Sequence, residues 1–543
     1  MKLKYILSSV AFAAVAFGFN ACTNELHVDN INPQQKSTFK DVEIFNKVYA
    51  NLVLTGQTGP DGSPDIANID EGTSNMLRQL WNANELTTDE AHCIWGDPGI
   101  PEFNHNAWGD SHPMLNALYY RLMFGVTISN FFLDNAAADT PEHATMRAEV
   151  RFLRALYYYY MMDLYGNPPF IDHVSTEKPV QYTRAQIFEW IEHELKAVIG
   201  EGAEDNTDIL ADAAPSYGRV GKTAARLLLA RLYLNAEVYT GKARWAEAKS
   251  YAQSVMKDGN FGLCTTGKNG YSAYQLLFMG DNDTNGAQKE IILPAIHDGE
   301  TTQTWGGCLF LIAASVNDAL VEQYPTGTSE KWGGNTARLQ FVQKFFPNND
   351  APSGTPTEVA AAAGDNRALF YTIGHSSTLE DETNFANSGY AYVKFLAKRS
   401  DGASTRHTQY VDTDFPLLRT AEAYLTFAEA DARLNGGQCT AEGLEAIKAI
   451  RSRANATTNF TQFNLAQIED EWSREFGFEG RRRMDLIRFN HFGGQNEYKW
   501  EYMGGVASGA SFDAHLNIFA IPTQDINAND INANGNLKQN PKY

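Results

Sequence analysis

The sequence lacks the short motifs by which many enzymes are recognised. It contains no H-E-x-x-H zinc-protease motif, no nucleophile elbow and no phosphate-binding loop. It also has no C-x-x-C pair, which argues against a structural zinc site. Among its 65 Asp and Glu residues some carboxyl pair will always be close, so their number neither supports nor excludes a glycoside hydrolase.

Positive charge is scarce. The formal net charge is −21, so a polyanion such as nucleic acid would be repelled with no basic patch to offset the cost. The one run of basic residues, Arg481-Arg482-Arg483, lies in a helix-like segment beside Glu475 and Glu479. We interpret it as a source of structural salt bridges in preference to a phosphate or sulfate site.

Cysteine is rare, with five in the chain. Cys93, Cys264, Cys308 and Cys439 are widely spaced. In an exported protein such residues form disulfides or remain as buried free thiols, and the sequence leaves both states open.

Long apolar runs are missing except at the N-terminus. There, two early lysines precede the apolar run from Tyr5 to Phe19, and Cys22 follows a small residue. This pattern is typical of a bacterial lipoprotein signal, with cleavage before Cys22 and acylation of its thiol, for example by palmitate. We predict a lipoprotein signal peptide at 1–21 and a lipidated tether at 22–36. A soluble secreted protein is the alternative.

One long helix is predicted at Met146–Tyr165. Arg147, Arg151 and Arg154 fall along one stripe of it, and an apolar face together with four consecutive tyrosines fills most of the rest. Gly166 and the prolines after it end the helix. A helix this aromatic needs packing partners on several sides, so we expect a helical scaffold around it.

Further amphipathic segments supply those partners. The hydrophobic period predicts additional helices at 37–54, 114–135, 221–239, 245–256, 417–434, 442–453 and 469–489. Several of them form pairs with alanines where two helices approach closely, as in tetratricopeptide repeats. Unrelated helical hairpins are the alternative. The predicted fold class is all-α, an α/α superhelix of tetratricopeptide-like repeats with a loop-rich irregular subdomain.

Loops separate these helices in two places. Residues 55–109 are rich in Gly, Asp and Pro, and residues 261–410 are rich in Gly, Thr and Asn with short β-like runs such as Glu290–Pro294. We therefore divide the mature chain into a helical repeat region at 37–260, an irregular subdomain at 261–410, and C-terminal helical repeats with a tail at 411–543.

Several stretches together resemble one family. They are Arg147–Tyr157 with Asp163–Gly166, Leu418–Ala430, Glu471–Phe489 and Ile521–Pro541. With the lipoprotein signal, they resemble the SusD/RagB family of outer-membrane nutrient-binding lipoproteins of Bacteroidetes. The resemblance implies a lipid-anchored protein on the outer membrane, facing the cell exterior, that caps a SusC-like TonB-dependent porin and hands it glycans. It also implies that the protein is not an enzyme.

The loops are most similar to those of the family's starch-binding founding member, which holds a helical glucan on an arc of aromatic side chains. Trp305 and Trp332 fall on two positions of that arc. A third arc position falls on Cys93, while Trp95 matches a neighbouring tryptophan. The resemblance implies a glycan site in the N-terminal loops and the irregular subdomain, made of Asp70, Arg78, Trp95, Asp97, Trp305 and Trp332. It also implies a structural calcium ion on Asp283, Asp412 and Asp414.

The residues next to the tryptophans also indicate a sugar site, independently of the family resemblance. Trp95, Trp305 and Trp332 are each followed by glycine, which leaves a ring face unobstructed. Flat aromatic rings beside polar groups suit the apolar faces and hydroxyl rims of sugars, although loop tryptophans also serve as core anchors. We expect capture of starch or malto-oligosaccharides. The alternatives are another glycan such as levan or a plant or host polysaccharide, a surface glycoside hydrolase, and a purely structural lid for the porin.

Overall fold

The computed structural model describes residues 39–202, 207–529 and 537–543. The predicted signal peptide and the tether with Cys22 lie outside the described residues. The chain divides into two units, Met1–Ile44 and Phe45–Tyr543. In the first unit, the described residues 39–44 contain the start of one helix.

The fold is mostly helical, as predicted. Its α-helices are α1 (Asp41–Ala50), α2 (Met76–Trp81), α3 (Ile100–Asn104), α4 (Pro113–Asn135), α5 (Pro141–Tyr165), α6 (Arg184–Ile199), α7 (Lys222–Leu234), α8 (Ala236–Thr240), α9 (Trp245–Met256), α10 (Ala273–Leu276), α11 (Gly307–Ala313), α12 (Asp318–Gln323), α13 (Leu339–Val342), α14 (Pro356–Ala363), α15 (Thr420–Leu434), α16 (Ala441–Arg453), α17 (Leu465–Phe476), α18 (Arg482–Arg488) and α19 (Thr523–Ala528).

The strands are short and form antiparallel pairs. They are β1 (Ala91–Cys93), β2 (Pro169–Phe170), β3 (Val180–Gln181), β4 (Ile291–Ala295), β5 (Asn335–Ala337), β6 (Phe370–Tyr371), β7 (Ala391–Tyr392) and β8 (Phe415–Arg419). The pairs are β1 with β5, β2 with β3, β4 with β8 and β6 with β7. None of the helices in the described part of the chain is both long and apolar enough to cross a membrane.

The long helices pack one on the next. Helix α4 contacts α5, α5 contacts α6, α6 contacts α7, and α7 contacts α9. The series continues through α15 to α16 and α17. This stacking of neighbouring helices is the arrangement expected of tetratricopeptide-like repeats.

The arginine stripe of α5 faces acidic residues. Arg151 and Arg154 both bind Glu194 of α6, with nitrogen–oxygen distances of 2.8 and 3.1 Å. Arg147 binds Asp208 at 3.2 Å. Because Glu194 is buried, these pairs join α5 to α6 at a place where an unpaired charge would be costly.

The predicted helix at 417–434 is wrong at its start. Residues Phe415–Arg419 form β8, which pairs with β4, and the helix begins only at Thr420. A short apolar run suits a strand or a helix equally well. Residues 415–419 form a strand because they pair with β4, which lies far upstream in the chain. The sequence indicates the β-like character of β4 but not this pairing.

The predicted helix at 469–489 is interrupted. Helix α17 ends at Phe476 and α18 begins at Arg482. Between them Phe478 and Gly480 adopt left-handed backbone angles, with φ of 64° and 73°. These angles are incompatible with a continuous right-handed helix.

A buried network of charges holds the irregular subdomain to the C-terminal helices. The guanidinium of Arg419 is fully buried and lies 3.0 Å from Glu290, 2.6 Å from Glu475 and 2.6 Å from Glu479. Arg453 binds Glu290 at 2.9 Å. One cluster thus connects the residue that precedes β4 with β8, α16 and α17.

The basic triplet is structural, as predicted. Arg482 binds Asp89 at 2.7 Å, and Arg481 binds Asp485 at 3.1 Å. All three arginines are buried. The partners differ from the neighbouring glutamates: Arg482 reaches the loop that precedes β1, Arg481 pairs with Asp485 in α18, and Arg483 donates to the carbonyl oxygen of Asn517.

The four cysteines of the described chain, Cys93, Cys264, Cys308 and Cys439, are free thiols. Residues 45–543 form one compact unit. The subdomain boundaries that we predict from the sequence at residues 260 and 410 remain a prediction.

Candidate functional site

Four aromatic side chains form a continuous row, which we call the aromatic arc (Trp95, Trp332, Trp305 and Tyr410). Neighbouring ring centroids are 6.4 Å apart for Trp95 and Trp332, 6.3 Å for Trp332 and Trp305, and 5.3 Å for Trp305 and Tyr410. The ring planes tilt by 51°, 46° and 58° along the row. The three tryptophans are half-buried, so part of each ring remains accessible.

The structure brings the three predicted tryptophans together. It adds Tyr410, which the sequence interpretation missed. Tyr410 is only 7% exposed and supports Trp305 from the side. No pattern in the sequence marks it, because it reaches the arc from a loop distant in the chain.

Trp95, and not Cys93, belongs to the arc. Cys93 ends β1, is 1% exposed, and burial raises the pKa of its thiol to about 12. Trp95 follows two residues later and donates its indole N–H to the carbonyl oxygen of Gly333, at 3.2 Å. The strand pairing of β1 with β5 thus aligns Trp95 with the loop that carries Trp332.

Glycine 334 lets the Trp95 ring approach the backbone closely. A Cβ atom at Gly334 would lie 2.4 Å from Cε2 of Trp95. Gly72 has the same role for Trp305, since a Cβ atom there would lie 2.7 Å from Cβ of Trp305. The ring of Trp95 and the Cα–Cβ region of Trp305 therefore each depend on a missing side chain in a neighbouring loop.

Hydrogen bonds orient the other two tryptophans. The indole N–H of Trp332 donates to Glu330 at 2.7 Å. The backbone N–H of Trp305 donates to the carboxylate of Glu71 at 2.9 Å. Glu71 is buried, and burial raises the pKa of its carboxyl group.

A guanidinium group lies behind the arc. Arg78, near the middle of α2, is 5.8 Å from the centroid of Trp95 and 4.7 Å from that of Phe310. Its Nε atom is buried and makes no hydrogen bond within the described chain. Burial lowers the pKa of Arg78, while the charges of Asp70 and Asp97 act in the opposite direction.

Asp70 and Asp97 are both exposed beside this arginine. Asp70 accepts a hydrogen bond from the backbone N–H of Thr73 at 2.9 Å, and Asp97 lies in the loop that follows Trp95. Asp70 directly precedes Glu71, which binds the backbone of Trp305, whereas Asp97 lies two residues after Trp95, so the predicted polar residues flank both of these rings. Together the site offers apolar ring faces with a charged polar rim, which is suited to noncovalent recognition of sugars.

The three aspartates predicted to bind calcium have unequal surroundings. Asp414 accepts hydrogen bonds from the backbone of His297 at 2.7 Å and from Tyr217 at 2.8 Å. Burial, together with the charge of Asp283, raises its pKa to about 7. Asp412 has one buried oxygen, Oδ1, with no hydrogen-bond partner in the described residues.

The donor chemistry fits a hard cation, because calcium prefers carboxylate oxygens and Asp412 has one to spare. Side chains alone do not complete such a site. Within residues 39–202, 207–529 and 537–543, no group of three or more His, Cys, Asp or Glu side chains could hold a metal ion.

Comparison with known proteins gives matches along the chain. The model described as the SusD family matches residues 245–543, and the model described as starch-binding associating with outer membrane matches residues 26–234. The starch-binding protein SusD of Bacteroides thetaiotaomicron is 38% identical, with 100% of each chain covered.

Solved structures have the same fold. A SusD superfamily protein from Parabacteroides distasonis superposes with a TM-score of 0.66 at 20% identity, covering 93% of this chain and 98% of the other. Surface glycan-binding protein A from Bacteroides thetaiotaomicron, solved in complex with laminarihexaose, gives 0.64 at 18% identity and covers 92% and 98%. The stacked helices, the full-length relative and the family models lead to one conclusion: this chain belongs to the SusD family.

Proposed function

We propose that this protein captures an α-glucan such as starch or malto-oligosaccharides on the aromatic arc and holds it noncovalently. The arc is the observation that carries the proposal. Its rings tilt by 46° to 58° from one to the next, so they do not lie in one plane. A helical glucan likewise presents successive apolar sugar faces that do not lie in one plane.

The similarity to a protein named as starch-binding supports this choice of ligand. Another polysaccharide is the second candidate, because one position of the starch-binding arc falls on Cys93, which is buried. Affinity electrophoresis through gels containing amylopectin, pullulan, levan or xylan distinguishes them. We expect retardation by amylopectin and pullulan, whereas retardation by levan or xylan alone would refute the α-glucan.

We infer that the protein binds its glycan without cleaving it. The support is the SusD family membership, together with a site built mainly of aromatic rings. A hydrolase would require two carboxyl groups about 5 to 10 Å apart across the bond that is cut. Incubating the purified protein with amylopectin and analysing the products by chromatography tests this. Shortened chains would establish a hydrolase.

We propose that the protein is anchored by lipid at Cys22 in the outer membrane, faces the exterior, and passes its glycan to a SusC-like TonB-dependent porin. The lipoprotein signal and the name of the family model that matches residues 26–234 support this. Labelling cells with a palmitate analogue should tag the wild-type protein and not Cys22→Ala. Co-purification with a porin from detergent extracts tests the partner.

We propose further that Asp283, Asp412 and Asp414, with backbone oxygens, hold a structural calcium ion. The unpartnered Oδ1 of Asp412 and the proximity of the Asp283 and Asp414 charges support it. A bound cation would relieve the repulsion between these carboxylates and stabilise the folded state. Millimolar calcium should raise the melting temperature of the wild-type protein and not that of Asp412→Ala. An equal response of both would refute the site.

A further inference from the structure

One carboxylate connects the two halves of the aromatic arc. Glu330 accepts the indole N–H of Trp332 through Oε2 at 2.7 Å. Through Oε1 it accepts the side-chain N–H of Gln409 at 2.9 Å. Gln409 immediately precedes Tyr410, whose ring packs against Trp305. A path of direct contacts therefore runs from Trp332 through Glu330 to the residue that supports Trp305.

The chemistry of this link requires a carboxylate. Each of its two oxygens receives one N–H donor, and an ionised carboxylate is the side chain with two acceptor oxygens and no hydrogen to oppose them. An amide at position 330 would present one oxygen and one NH2 group. The amide oxygen would accept a hydrogen bond from either Trp332 or Gln409, and the amide NH2 group would then face the N–H donor of the other residue.

The backbone around the link is held independently. The N–H of Trp332 donates to the carbonyl oxygen of Ala313 at 2.8 Å. The N–H of Ser329 donates to Thr408 at 2.9 Å, and the hydroxyl of Thr328 donates to the carbonyl oxygen of Gln409 at 2.7 Å. The two loops thus remain paired without Glu330, which leaves orientation of the side chains as the contribution of its carboxylate.

We propose that Glu330 is a positioning residue that fixes the tilt of the Trp332 ring in the aromatic arc and thereby favours curved glucans over extended ones. This proposal rests on the α-glucan function proposed above. With both hydrogen bonds in place, the Trp332 ring is fixed at its tilt before the ligand arrives. A rigid, curved ligand binds more tightly to such a preorganised surface. A flexible linear ligand can adapt to a less ordered surface, so it loses less affinity when the surface is loosened.

The test compares two sugars of six glucose units, α-cyclodextrin and linear maltohexaose, by isothermal titration calorimetry. Glu330→Gln should weaken α-cyclodextrin binding by about two- to tenfold and maltohexaose by less, since one side chain is no longer immobilised. The double variant Glu330→Gln with Gln409→Glu should restore the wild-type ratio. In it, the amide at position 330 keeps accepting from Trp332 and donates to the new carboxylate at position 409, with the net charge unchanged.

A second measurement examines the ring without any ligand. In protein labelled with 5-fluorotryptophan, the fluorine resonance of Trp332, assigned with Trp332→Phe, should shift in Glu330→Gln and return in the double variant. Equal melting temperatures would confirm that the fold is intact.

The proposal is overturned if Glu330→Gln leaves the resonance and the ratio of the two affinities unchanged, or if the double variant fails to restore both. A wild-type protein that binds neither sugar would instead refute the α-glucan function, and with it the ligand preference. The two failures are thus distinguishable.

Discussion

Gly334→Ala offers a test of the arc that removes no aromatic ring. The new methyl group would lie 2.4 Å from Cε2 and 2.6 Å from Cζ2 of Trp95. Carbon atoms in contact prefer about 3.5 to 4.0 Å, so the ring must retreat by about 1 Å. This movement would also strain the hydrogen bond from Trp95 to Gly333, which is 3.2 Å long. The backbone at Gly334 is not left-handed, and the three atoms nearest to the new methyl group all belong to the Trp95 ring.

The expected loss of affinity follows from one displaced stacking partner. Such a contact is worth about 0.5 to 1.5 kcal/mol, which corresponds to roughly two- to tenfold in Kd. Titration calorimetry with maltoheptaose measures it. Gly259→Ala is the matched control, because a Cβ atom at Gly259, in the loop after α9, meets nothing within 4 Å. Unchanged affinity in Gly334→Ala, or an equal loss in the control, would refute the role of Trp95.

Two further predictions concern stability. Arg419→Met should lower the free energy of unfolding by about 3 to 5 kcal/mol in urea titrations, because it leaves buried carboxylates uncompensated. Arg399→Met, which breaks an exposed pair, should cost under about 1 kcal/mol, and equal losses would contradict the reasoning. Burial lowers the pKa of His92 from 6.5 to about 4, so between these values the unfolded chain binds a proton that the folded protein does not. Stability should therefore fall as pH falls through this window, and His92→Leu should reduce the slope by up to about 1.4 kcal/mol per pH unit, whereas an unchanged slope would contradict it.

The hydrophobic period predicted the ends of those helices that bury one continuous apolar face. Trp245–Met256 forms a helix with the predicted ends, and α4 begins one residue before its predicted start. The period of apolar residues suffices there because each helix buries one continuous face. The start of the predicted helix at 417–434 fails because residues 415–419 obtain their backbone hydrogen bonds from a strand far upstream.

The sequence names residues for the candidate site but not their arrangement. Glycine next to tryptophan marked Trp95, Trp305 and Trp332, and the family resemblance supplied Asp70 and Arg78. Cys93 is buried at the end of β1, whereas Trp95 lies beyond that strand and is half-buried, and the sequence alone does not distinguish these two environments.

Tyr410 and Glu330 could not be found from sequence. Both residues act where two loops meet that are about 80 residues apart in the chain. The hydrogen bond between Glu330 and Gln409 is an example. A single glutamate or tyrosine in a loop carries no local signal of such a meeting.

The central claim is that the aromatic arc binds an α-glucan. Titration of maltoheptaose into the wild-type protein, Trp332→Ala and Trp245→Ala tests it most directly. Trp332 is the middle ring of the three tryptophans, whereas Trp245 lies in α9 and outside the arc. We expect the wild-type protein and Trp245→Ala to bind equally and Trp332→Ala to bind at least about tenfold more weakly. Equal binding by Trp332→Ala, or no binding by the wild-type protein, would contradict it.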